Sequence, residues 1–209
     1  MRQTQKAPKA GSALPKVAVL IPSADHVCAD FAMSLATMMS SSAASFRMVL
    51  MNEKSSLITI ARNNLVKRAL DFGADYALFL DSDMTFPQNT LLRLVSHKKD
   101  VVAATYRKRV APFDLLGKLK DTDRSDGVAE AEHLPTGCML INAKVLKGLS
   151  WPWFFETYDE TEFATPYAGE DINFCRKARA NGFSVWADIP LSHAMGHIGQ
   201  QTVLTTPAA

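Results

Sequence analysis

The sequence has little cysteine, no long apolar run and almost no net charge, and each shortage narrows what the chain can be. Its cysteines are three, Cys28, Cys138 and Cys175. They are odd in number, far apart and never spaced Cys-X-X-Cys, so they read as reduced thiols in or near the core of a cytoplasmic protein. No apolar stretch approaches the ~18 residues of a membrane span. The polar opening lacks the apolar region of a signal peptide, so a soluble chain without a membrane span is expected. The formal charge of +2 conceals an asymmetry. Residues 1–16 hold Arg2, Lys6, Lys9 and Lys16 and no acid, which leaves 19 bases against 21 acids in the remainder. A basic tail on a slightly acidic body argues against a general nucleic-acid-binding surface. With 209 residues and 47% hydrophobic content there is material for one cored domain and no more. The expected division is a mobile tail at 1–15, a domain at 16–203 and a second tail at 204–209.

What is present centres on Tyr76-Ala-Leu-Phe-Leu-Asp81-Ser82-Asp83-Met-Thr-Phe-Pro87. Tyr76 to Leu80 has the length and apolar character of a buried strand in a parallel sheet. Side chains at i and i+2 of an extended chain lie on the same side. Asp81 and Asp83 can therefore converge on one cation at the strand's C-terminal end, where open α/β sheets bind ligands. Carboxylate oxygens suit Mg²⁺ or Mn²⁺ and leave positions for phosphate oxygens. The ordinary alternative is two turn-forming acids, or an N-cap for the next helix.

The surrounding pattern alternates strands and helices. Strands are expected at Val17–Ile21, Phe46–Met51, Asp100–Tyr106, Leu134–Ile141 and Phe183–Ala187, and helices at Ala29–Met39, Ile58–Phe72, Gln88–His97 and from Gly169 to Gly182. Residues 112–133, with few large apolar groups after Leu116, read as a loop or loose hairpin. His193 and His197 stand at i, i+4, but Gly196 and Gly199 argue for a loop there. Arg107, Lys108 and Arg109 read as a solvated basic run or as contacts to an anion. The aromatic cluster Trp151 to Phe155 either closes the core or offers rings to a sugar or base.

The order of these features resembles the GT-A glycosyltransferases, in their family-2-like branch, from about Val17 to Gly199. The match rests on Arg62-Asn63 in a helix, Asp81-Ser82-Asp83 after a hydrophobic strand, Gly169-Glu170-Asp171 opening a later helix, and a final His197-Ile198-Gly199. The resemblance implies a single Rossmann-like α/β domain, with a mostly parallel central sheet, flanking helices and a small acceptor-side loop or hairpin. It implies that Pro22, Ser23 and Ala24 lie under a nucleotide base. It also implies that Arg62 and Asn63 sit near the nucleotide or support the metal loop, and that Gly137 borders the sugar and acceptor. Asp81, Asp83 and His197 would hold Mn²⁺ or Mg²⁺, with His193 a lesser candidate, and Ser82 would lie on the nucleotide. Asp171, with Glu170, would orient or deprotonate the acceptor hydroxyl. Helix-capping chemistry explains both acids equally well.

The function expected is metal-dependent transfer of a sugar from a nucleotide-diphosphate sugar to an acceptor hydroxyl. The acceptor is left open between a modified nucleic-acid base, a protein side chain and a small glycoside. A nucleotidyltransferase of related fold fits less well, because no Gly-rich, Arg/Lys-containing signature follows the first strand. A non-catalytic nucleotide- or carbohydrate-binding protein is the alternative from another class.

Overall fold

Val17 to Ile21 is buried on both faces in the first strand, β1 (Lys16–Ser23), the pattern of an interior strand in a helix-covered sheet. The computed structural model describes residues 13–109, 112–120, 127–157 and 168–199. After β1 come α1 (Ala29–Ser42), β2 (Arg47–Lys54), α2 (Ile58–Asp71) and β3 (Tyr76–Leu80). Both β2 and β3 pair with β1 in parallel. The chain continues through β4 (Met84–Thr85), α3 (Thr90–Ser96), β5 (Val101–Ala103), β6 (Lys118–Leu119), β7 (Val128–His133) and β8 (Cys138–Asn142). It ends with α4 (Ala143–Gly148), α5 (Glu170–Ala180), β9 (Val185–Asp188), α6 (Ile189–Ala194) and β10 (Gly196–His197).

The strands form one eight-stranded sheet in the order β2-β1-β3-β8-β5-β9-β7-β6, with β10 and β4 paired separately. The architecture is α/β and Rossmann-like, and the sheet is mixed. β8 runs antiparallel between β3 and β5, and β7 antiparallel to β9, while β5 and β9 are parallel. Alternation along the strands feeds two cores. Ala77 and Phe79 face one side with Leu65, Val66, Phe174 and Cys175 of α2 and α5. Leu78 and Leu80 face the other with Phe31, Met38, Leu91 and Leu94 of α1 and α3. Each such side chain fully buried contributes about 1.5–3 kcal/mol, so the sheet is held from both faces.

Several boundaries differ from expectation for identifiable reasons. The strand expected over Asp100–Tyr106 stops at Ala103. The Thr105 amide turns to the Ser192 hydroxyl at 2.9 Å, so the chain has left the sheet by then. Part of the expected 112–133 loop is β7, whose Val128, Ala129 and Ala131 are buried. Small apolar residues suffice there because the strand lies near the sheet's edge. His193 sits on α6, not in a loop. Asp188 caps that helix by accepting from the Leu191 amide at 2.9 Å, and Pro190 starts it. Of the expected first tail, residues 1–12 lie outside the described residues, whereas the Pro15 carbonyl accepts from the Arg47 amide at 3.0 Å. Residues 200–203 and the second tail, 204–209, also lie outside them.

Cys138 and Cys175 are buried and free, and burial pushes both thiols up to about 12. Among the described residues, no helix is long and apolar enough to cross a membrane.

Candidate functional site

The C-terminal ends of β1, β2 and β3 meet at one edge of the sheet. There Pro22, Ser23 and Ala24, Ser55 and Ser56, and Asp81, Ser82 and Asp83 line an open cavity of about 270 Å³. The first loop is fixed from beneath. The Asn52 side-chain amide donates to the Ile21 carbonyl at 2.9 Å and to Ser23 Oγ at 2.7 Å. The acidic loop is fixed by its backbone, since the Asp81 amide donates to the Gly137 carbonyl and the Cys28 amide to the Ser82 carbonyl. The expected nucleotide loop and the Asp-Ser-Asp segment thus share one cavity. Ser55 and Ser56 were not anticipated there. Their position, directly after a strand at this same edge, was the available signal.

The two aspartates point to different partners. Asp81 turns inward to Arg62, whose Nη2 lies 3.2 and 3.3 Å from its two oxygens. Arg62 is 3% exposed and not a solvated residue of the first helical turns. Its Nε also stands 3.3 Å from Glu170 Oε1, and its plane lies over the rings of Phe79 and Phe154. Burial alone would lower the guanidinium's pKa, but the charges of Asp81 and Glu170 outweigh it and raise it. Nη1 is buried without a hydrogen-bond partner. Arg62 supports the acidic loop from inside and ties it to the start of α5.

Asp83 faces outward, where Arg109 pairs with it and His197 Nε2 lies 3.6 Å from its Oδ2. A two-residue ladder delivers His197. β10 lies antiparallel to β4, with His197 opposite Met84 and Gly196 opposite Thr85, and the Ile198 amide donates to the Asp83 carbonyl at 2.8 Å. Glycine at 196 leaves room for the Thr85 hydroxyl, which would stand 2.2 Å from a Cβ there.

The ring of His197 has a defined tautomer. Nδ1 is 2.9 Å from the Arg107 carbonyl, which can only accept, so Nδ1 carries a proton. A neutral ring then turns the Nε2 lone pair toward the Asp83 carboxylate. The same Oδ2 already accepts from the Arg109 guanidinium, so Asp83 has a cationic partner beside the imidazole. A backbone carbonyl behind the remote ring nitrogen is also the usual support for a metal-binding imidazole. A divalent cation between Asp83 and His197 would take the place that Arg109 holds on this carboxylate. Asp81 does not join them, being held on Arg62. Among the described residues no group of three or more His, Cys, Asp or Glu side chains could hold a metal ion by itself. Of the expected ligands Asp81, Asp83 and His197, only the last two face each other, at 3.6 Å.

No family model matches the chain, and no curated protein matches it. Among solved structures it is similar to A197 from STIV, at 15% sequence identity and a TM-score of 0.59, over 93% of this chain and 99% of that one. The likeness is one of fold.

The remaining expected residues divide between the site and its scaffold. Asn63 does not face the cavity. Its amide nitrogen donates to the carbonyls of Thr59 and Phe154, and its oxygen accepts from the amides of Trp153 and Phe154. It pins the aromatic segment to α2. Within that segment Phe154 closes the core, stacked on Phe174 at 4.7 Å, while Trp151 is exposed. Gly137 makes room for Tyr106, not directly for a ligand. A Cβ there would lie 2.1 Å from the tyrosine hydroxyl, which accepts from the Gly137 amide at 3.0 Å. Burial, with the charge of Asp81 adding to it, raises the Tyr106 pKa well above its ordinary value.

Glu170 and Asp171 begin α5, where their charges suit the helix dipole. Burial raises the Glu170 pKa against the opposing pull of Arg62. Asp171 Oδ1 accepts from the Ile172 amide at 2.7 Å. In the basic run, Arg107 bonds the Phe113 carbonyl and Lys108 pairs with Asp114, so only Arg109 reaches the acidic loop. His193 is exposed and lines a separate cavity of about 510 Å³ with Thr105, Arg107, Ser192 and His197.

Proposed function

We propose that the protein is a metal-dependent glycosyltransferase that moves a sugar from a nucleotide-diphosphate sugar to an acceptor hydroxyl. The observation that carries this proposal is that Asp83, which faces His197, lines the cavity shared by Pro22, Ser23, Ala24 and the acidic loop. In it the base of the nucleotide would lie on Pro22 to Ala24, Ser82 would face the nucleotide, and Asp83 and His197 would hold Mn²⁺ or Mg²⁺. A divalent ion bound there offsets the negative charge that builds on the departing nucleoside diphosphate. Asp81 stays on Arg62 and keeps the loop in place. Asp171, with Glu170 beside it, orients the acceptor hydroxyl and takes its proton if the anomeric configuration is inverted, the outcome the acidic pair favours. The acceptor class extends to a modified DNA base, a protein side chain or a small glycoside. Buried free thiols at Cys138 and Cys175 agree with work in the cytoplasm.

The test is a thermal-shift screen with Mn²⁺ and UDP, GDP, CMP or dTDP. A ligand that binds only the folded chain raises the melting temperature by mass action. One nucleotide should stand out, and its shift should vanish with chelator. No nucleotide shift at any metal concentration would overturn the proposal. Hydrolysis of the matching nucleotide sugar with Mn²⁺ then separates an enzyme from a binding protein.

A further inference from the structure

The two ends of the eight-stranded sheet are finished differently. At one end stands β6, only two residues long, whose register on β7 shifts between Lys118 and Leu119. Short strands and irregular register are the usual ways in which an edge is kept from pairing with another chain. At the other end stands β2, eight residues in unbroken register with β1 from Arg47 to Lys54. It contains no proline, and Met48, Val49, Leu50 and Met51 make its middle apolar. Leu50 is 49% exposed. Among the described residues no strand pairs with the outer side of β2.

The charges at the ends of this strand specify what can pair with it. Arg47 has no ion-pair partner among the described residues. The Glu53 carboxylate is held in place by Arg68 at 3.2 Å and Asn64 at 2.9 Å. Suppose a second β2 runs antiparallel to the first, with the two-fold axis at Leu50. Leu50 then faces the partner's Leu50, Val49 faces the partner's Met51, and Arg47 faces the partner's Glu53 at both ends. Residues directly opposite lie on the same face, so both charge pairs are attractive. A shift of two residues, the smallest that keeps the faces aligned, would set Arg47 against the partner's Met51 or Ser55 and lose both charge pairs. The strand is therefore charge-complementary in one register and without those pairs in the neighbouring ones. Of the backbone carbonyls on β2, that of Asn52 already accepts from Arg68 at 2.9 Å, and its second lone pair remains available.

We propose that the chain forms a two-fold dimer by antiparallel pairing of β2 with the β2 strand of a second copy, in the register that opposes Arg47 to Glu53. The central sheets of the two copies join into one. The interface is small, so the dimer is weak and depends on concentration.

Sedimentation of the full chain from about 1 to 300 µM tests this, a range suited to weak interfaces. Mass should rise with concentration from 22.9 kDa to twice that value. Arg47→Glu and Glu53→Lys each create two like-charge pairs per dimer, and each variant alone should associate roughly tenfold more weakly. An equimolar mixture of the two should recover the parent's association, because each variant then meets its opposite. Leu50→Lys, at a half-exposed position, should abolish association while its melting temperature stays near that of the dilute parent. A parent that remains at 22.9 kDa throughout would overturn the proposal. So would single variants that associate like the parent, or a mixture that fails to recover.

Discussion

Nε of Arg62 stands 3.3 Å from Oε1 of Glu170, and the other side of the same guanidinium holds Asp81. One buried cation thus links the acidic loop after β3 to the first turn of α5. Removing one member of a buried ion pair leaves the others uncompensated. Arg62→Leu should destabilise the fold by about 3–5 kcal/mol, measured by urea denaturation. A loss within the range of an ordinary surface substitution would mean that Arg62 is not what holds the two acids.

Asp83→Ala should abolish Mn²⁺-dependent nucleotide binding and leave the fold intact, because Asp83 lies at the rim of the sheet and not in a core. Calorimetric titration with and without chelator is the measurement. Equal nucleotide affinity in variant and parent under both conditions would remove Asp83 from the site.

His197→Ala should weaken Mn²⁺ binding more than His193→Ala does. The ground is position: His197 faces Asp83, whereas His193 is exposed on α6. The opposite ranking would move the ligand to His193, and two silent variants would exclude histidine altogether.

At the start of α5, Asp171→Asn separates catalysis from capping. Asparagine caps a helix nearly as well as aspartate but cannot take a proton. Transfer at saturating donor should fall by ~10²–10⁴, the range for lost general-base assistance, with donor affinity unchanged. Unchanged turnover would leave Asp171 as a helix-start residue only.

Asp188 supplies a pH test remote from the site. Burial pushes its carboxyl up, but hydrogen bonds from Arg93 and His97, the latter at 2.7 Å, outweigh burial and hold it below the ordinary carboxylate range. A group depressed on folding contributes stability above its unfolded pKa and loses it as pH falls through the folded value. The parent should therefore weaken steeply below the ordinary range. Asp188→Asn should be less stable near neutrality by about 3–5 kcal/mol, and the difference should shrink in acid. Urea midpoints across pH measure both.

How far the sequence reveals this molecule depends on how local each feature is. Tyr76 to Leu80 is a strand by its own apolar run, and α2 by its own periodicity, so both are recognisable without a structure. β7 was hidden because Val-Ala-Glu-Ala-Glu-His is weakly apolar, and its burial comes from neighbours far along the chain. The same limit applied at the site. The Asp-Ser-Asp spacing was visible, but its partners were not. That Asp81 faces Arg62 while Asp83 faces Arg109 depends on where α2 and the segment after β5 come to rest. Asn63 stands next to Arg62 in sequence but not in its contacts. A step of one residue along a helix turns a side chain by about 100°, enough to send it to Phe154.

The ladder between β10 and β4 joins stretches separated by more than half the chain, with only two residues on each side. During synthesis, every strand of the main sheet has emerged before His197 does. The body can thus fold with its site unfinished. In the mature protein the same short ladder can open at less cost than either core, because local openings draw on the few contacts they break. Release of the imidazole from Asp83 is then a separate event from unfolding. Substitutions in the ladder can therefore loosen His197 from Asp83 while the main sheet stays folded.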